Sequence, residues 1–111
     1  MTFPGHWSEQ SLLGALLIRG RLDCVPPQMR PEDFGDRRHQ AIYRAMLELE
    51  QDERLTDTPT VYDHLPPDLT LKTYLASLLD HIPNPDAEGI ATYSRTVMEE
   101  AAKRRRKGWA A

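Results

Sequence analysis

At 111 residues the chain is about one domain long, and its 40% apolar and 28% charged residues match a water-soluble globular protein. No apolar run reaches the roughly 18–20 residues of a membrane span; the longest, Leu12 to Ile18, contains Gly14. Five of the 14 basic residues are Lys103, Arg104, Arg105, Arg106 and Lys107, so residues 1–102 carry nine basic against 17 acidic groups, a net −8 that repels nucleic-acid phosphate and favours a protein partner.

Residues 1–7 contain Pro4 and Gly5 and read as a flexible arm. A head domain over 8–102 follows, and 103–111 is a basic helix end or the start of a linker. Ser8 is the expected cap of a first helix over 9–19, in which Leu12, Leu13, Leu16 and Leu17 share a stripe before the stop at Gly20. Gly14 costs that helix about 1 kcal/mol relative to alanine, which close approach of a second helix would offset. Pro26, Pro27, Pro31 and Gly35 break up residues 21–36, leaving short turns at Leu22–Val25 and Pro31–Phe34. A strong helix over 37–52 buries Ile42, Ala45, Met46 and Leu49 and turns Arg38, Arg44, Glu48 and Asp52 to water. A short helix over 59–65 has Pro59 in its first turn and Asp57 or Thr58 as cap. The stripe Leu71, Tyr74, Leu75, Leu78, Leu79 and Ile82 predicts a helix capped by Thr70 and closed by Pro83. The last helix, over 87–107, points Ile90, Tyr93, Val97, Met98, Ala101 and Ala102 inward. No stretch alternates long enough for a strand, so the fold class is all-α, a bundle of about six helices.

The chain offers little chemistry. It has no Gly-Lys-Ser or Gly-Lys-Thr to cradle a nucleotide's phosphates. His6, His39, His64 and His81 are scattered without the short ligand spacings of a zinc site, and they read as structural or solvent-facing. Ser8, Ser11, Ser77 and Ser94 lie in helices without a strained nucleophile turn. The expectation is no catalytic residue, no cofactor and no metal. The N-terminus lacks the basic-then-apolar order of a signal peptide and Cys24 has no disulfide partner, which points to the cytoplasm. The basic run at 103–107 is a candidate nucleic-acid contact, although positive charge at a helix C-terminus also complements the helix dipole. Trp7 and Trp109 could anchor a partner or belong to loose ends.

The order of residues adds a resemblance. Glu9-Gln10-Ser11-Leu12-Leu13-Gly14-Ala15-Leu16-Leu17 is similar to the Glu-Gln-x-x-Leu-Gly-x-Leu-Leu opening of the N-terminal domains of DnaB-type replicative helicases. Pro31-Glu32-Asp33-Phe34, His39-Gln40-Ala41-Ile42-Tyr43, Asp57 to Leu65 around Thr60-Val61, Tyr74-Leu75 with Leu78, Pro83, and Tyr93 with Val97 resemble that family's later blocks, in order, over roughly residues 8–105. The resemblance implies a helical head domain without the family's C-terminal motor, so that ATP hydrolysis belongs to a full-length parent. It also implies binding to primase, to neighbouring helicase subunits or the motor domain, and to a loader. The family's head is followed by a dimerisation hairpin, and this sequence ends as that hairpin would begin, which leaves self-association as a homodimer open.

Three functions follow. The first is a non-catalytic helicase head that acts as a protein-interaction scaffold in DNA replication. The second is a free-standing phage or mobile-element adaptor that binds a host helicase or primase. The third is a small helical DNA-binding protein using the basic run, although DNA contact is expected to be weak or absent. Exposed charges flanking the apolar stripes are the candidate protein interface: Arg37, Arg38, Arg44, Glu48 and Asp52, with Asp63 and Asp80.

Overall fold

Four aspartates set where helices begin. In the computed structural model, which describes residues 3–80 and 83–110, Asp36 accepts the Arg38 amide at 2.8 Å and starts α2 (Arg37–Gln51). Asp57 accepts Thr60 N–H to start α3 (Thr58–His64), and Asp68 accepts Leu71 N–H to start α4 (Leu69–Ser77). Asp86 accepts Gly89 N–H at 2.9 Å at the start of α5 (Ala87–Ala110). Each satisfies an amide that has no partner within its helix and places negative charge at the positive end of the dipole.

The first helix is built differently. α1 spans His6–Arg19 and is preceded by Gly5 at φ 88°, with no side-chain cap. Ser8, the expected cap, lies inside the helix, because a glycine in the left-handed region turns the chain in earlier. His6 and Trp7, the last residues of the expected arm, are therefore helical. Phe3, just before them, packs edge-on to His6 with ring centroids 4.9 Å apart. Gly20, at φ 75°, ends α1 by returning its amide to Leu16.

All of residues 12–17 are buried, which makes α1 the central helix. It packs most extensively on α5 and also touches α2. Gly5 lies against Glu100, while Arg19 donates to the Pro85 carbonyl at 3.2 Å, so α1 and α5 run antiparallel. α2 meets α3, and α3 meets α4. Leu12, Leu13, Leu16, Ile42, Met46, Leu49, Leu75, Ile90 and Val97 have essentially no exposure and form one core. Each such side chain stabilises the fold by about 1.5–3 kcal/mol relative to exposure. Leu22, Met29 and Phe34, from the proline-broken stretch, plug its side.

Among the described residues there are five α-helices against the about six expected, no strand, and one 3-10 turn at Pro31–Asp33, where a short turn is expected. α4 departs furthest from the expected elements. Its apolar stripe predicts a helix to Ile82 with Thr70 as cap, but it starts at Asp68, two residues earlier, and ends at Ser77. There the Ser77 hydroxyl donates to the Tyr74 carbonyl, and Leu78, Leu79 and Asp80 bond to carbonyls three residues back, a tighter winding that stops the α-helix. His81 and Ile82 lie outside the described residues, as does the side chain of Trp109. Among the described residues no helix is long and apolar enough to cross a membrane.

The end of α4 explains Gly14. A Cβ there would stand 2.6 Å from the Leu78 carbonyl oxygen and 2.9 Å from Pro83 Cγ. The neighbour that approaches is thus the turn after a helix. Gly14→Ala improves helix propensity by about 1 kcal/mol but crowds a backbone oxygen, at a cost of about 1–3 kcal/mol. The expected outcome is net destabilisation, read as a lower urea midpoint.

Candidate functional site

Polar residues from three helices meet beside the core. Glu9 and Gln10 lie in the first half of α1, His39 in the first turn of α2, and Tyr74 in α4. Glu9 is 1% exposed and His39 0%. The Glu9 carboxylate lies 2.7 Å from His39 Nδ1, and His39 Nε2 lies 2.7 Å from the Tyr74 hydroxyl. Gln10 Nε2 donates to the same hydroxyl at 3.2 Å, and the Gly35 amide donates to Glu9 at 2.8 Å. One assignment satisfies every member: Gln10 donates to Tyr74, Tyr74 to a neutral His39, and His39 through Nδ1–H to Glu9.

A second layer closes the cluster. Asp36 pairs with Arg38 at 2.7 Å, and the Arg38 guanidinium lies 3.7 Å over the Tyr74 ring. His6 Nε2 lies 3.5 Å from Asp36, and its ring is tilted against His39 at 5.3 Å. Burial works to raise the Asp36 carboxyl, but hydrogen bonds from the Arg38 side chain and amide, with attraction to the Arg38 charge, hold it well below the usual carboxylate range. Burial pushes the Tyr74 phenol up, helped by Asp36 and Glu9 and opposed by Gln10 and Arg38. At neutral pH Tyr74 is therefore a phenol that donates a hydrogen bond, not an activated nucleophile. The cluster couples α1, α2 and α4, and its chemistry is that of a satisfied buried network.

The basic run divides. Arg104 donates to the Asp33 carbonyl at 2.7 Å and faces the Phe3 ring at 6.0 Å. Arg105 pairs with the Asp33 carboxylate at 3.1 Å, and Lys103 with Glu100 at 3.1 Å. As candidate nucleic-acid contacts these three are engaged with the protein's own oxygens: α5 continues as helix past the 3-10 turn and presents Arg104 and Arg105 to it, while Lys103 pairs within α5. Arg106 and Lys107 are exposed on the same helix.

The family model of the DnaB-like helicase N-terminal domain matches residues 6–99. This chain belongs to that family. No curated protein and no solved structure matches it. The polar letters of the DnaB-like pattern now have a physical reason. Glu9, Gln10, His39 and Tyr74 come from three separate blocks and meet as one hydrogen-bonded chain, while Asp33 receives Arg105 and Phe34 is fully buried.

The seven candidate interface residues, Arg37, Arg38, Arg44, Glu48, Asp52, Asp63 and Asp80, are all exposed. Helical spacing puts Arg37, Arg44 and Glu48 on one stripe of α2. Arg38 belongs to the cluster above. Glu48 bonds His64 on α3 at 2.9 Å, and Arg44 lies 3.8 Å from Glu32. Sequence spacing offered no group of metal ligands, yet the fold brings His6, Asp36 and His39 together from α1 and the start of α2. The available signal was the pattern's Glu, Gln and His, which a core stripe does not require.

Two outcomes test this account. Tyr74→Phe removes one partly exposed hydroxyl and costs about 1 kcal/mol, whereas Glu9→Ala strands His39 and the Gly35 amide and costs about 3–5 kcal/mol, both read by urea unfolding. Asp36, depressed in the folded state, contributes stability that is full above its unfolded value of about 3.9 and is lost as pH falls through that value towards the folded one. Asp36→Asn keeps a capping oxygen and flattens the stability profile below about pH 4, measured by urea midpoints across acid pH.

Proposed function

We propose that this chain is the non-catalytic head of a replicative DNA helicase, a protein-interaction scaffold for primase and for neighbouring helicase subunits or a loader. The observation that carries the reading is the family match over residues 6–99. The charge layout supports it: a body of net −8 is poorly suited to a phosphate backbone, and three of its five clustered cations already hold the protein's own oxygens. ATP hydrolysis belongs to the motor domain of a full-length parent.

The α2 stripe of Arg37, Arg44 and Glu48, with Asp52 beside it, is the face proposed for the partner. Its mixed charge on a rigid helix suits a complementary polar surface, where charge fixes register and speeds encounter.

Light scattering coupled to size exclusion, on this chain alone and with the cognate primase's C-terminal domain, tests the reading. A co-eluting complex that dissociates on Arg44→Glu with Glu48→Lys supports scaffold and face together. A complex indifferent to that double change moves the face elsewhere. A chain that ignores primase but binds duplex DNA at low salt, and loses it on Arg106→Glu with Lys107→Glu, overturns the scaffold in favour of DNA binding.

A further inference from the structure

We propose that His6, Asp36 and His39 form a binding site for a divalent transition-metal ion of zinc's type, next to the buried hydrogen-bonded chain. One ligand atom from each of the three lies within 4.8 Å of the others. Two imidazoles and a carboxylate are a donor set that zinc takes, with a fourth position for water.

His6, like Ser94, keeps a buried polar atom without a hydrogen-bond partner. It is 8% exposed, its Nδ1 has no hydrogen-bond partner, and its Nε2 stands 3.5 Å from Asp36 Oδ2. That separation is long for a hydrogen bond but close to the roughly 3.3 Å between ligand atoms that share a tetrahedral zinc at about 2.0–2.1 Å. Nε2 is the nitrogen that faces the site, and with no close hydrogen bond to hold it, its lone pair can bind a metal while Nδ1 keeps the proton.

The surroundings suit a cation. Glu9, 2.7 Å from His39 Nδ1, occupies the place of the carboxylate that orients a ligating histidine. His39 enters by releasing one of its two hydrogen bonds. Releasing Tyr74 is the cheaper choice, because that hydroxyl is partly exposed and keeps the Gln10 amide, while Glu9 is almost wholly buried. Arg38 balances Asp36 when no ion is bound. Its side chain is 46% exposed and can swing to water when a metal takes over that charge.

The experiment strips the full chain with a chelator, then follows thermal unfolding with added zinc and visible absorption with added cobalt. The expected result is a midpoint about 10 °C or more higher when zinc exceeds Kd a hundredfold, together with the visible bands of cobalt in a tetrahedral imidazole–carboxylate site. Both responses weaken by about tenfold or more in affinity in His6→Gln and in Asp36→Asn, and persist in His64→Gln, which disrupts only the distant pair with Glu48. Asp36→Asn keeps its capping oxygen and so provides a folded control should His6→Gln unfold. No zinc shift and no cobalt bands in the unsubstituted chain overturn the site, as does a response in both ligand variants as strong as that of the unsubstituted chain.

Discussion

A carboxylate with almost no exposed surface must be met on every side, and the way Glu9 is met holds the fold in register. Its oxygens take the Gly35 amide from the loop before α2 and face His39 on α2 itself, while His39 reaches on to Tyr74 of α4. α1, α2 and α4 are therefore fixed by directional bonds as well as by apolar contact. Apolar packing alone tolerates sliding of one helix along another, but a buried chain with each donor facing one acceptor does not.

The acidic character of the chain is partly architectural. Asp36, Asp57, Asp68 and Asp86 cap helices, and Asp33 accepts the Arg30 amide while pairing with Arg105. These carboxylates serve the backbone first, so the net charge of the body overstates how much acid is available to a partner. Other charges, such as Arg37 and Asp63, neither cap nor pair within the cluster and stand on exposed helix faces.

α2 and α5 were legible from their apolar stripes, and α3 from Pro59 in its first turn and the Asp57 cap. α4 was misread because its stripe continues through Leu78 and Leu79 although the chain has already tightened; Leu78 stays buried in a turn as well as it would in a helix. Periodicity reports which side is apolar and not which carbonyl an amide chooses. The cluster was hidden for a different reason. Glu9, Asp36 and His39 are ordinary surface letters in their own segments and Tyr74 reads as part of an apolar stripe; only the packing of α1 against α2 and α4 makes them neighbours. The basic run was legible as a cluster of charge, but its tether to Asp33 depends on where α5 passes the proline-broken stretch.

The antiparallel pairing of α1 with α5 has a mechanical consequence. The start of α1 and the far end of α5 lie on the same side of the molecule, joined there by Phe3, Asp33, Arg104 and Arg105. A pull that separates these two ends loads the Phe3–Arg104 and Gly5–Glu100 contacts first and then opens the α1–α5 seam one turn at a time, like a zipper. A pull directed along both helices in opposite senses would load the whole seam at once. The domain therefore yields readily to tension applied between its two ends, and it transmits force well only when the load enters along the axis of α5.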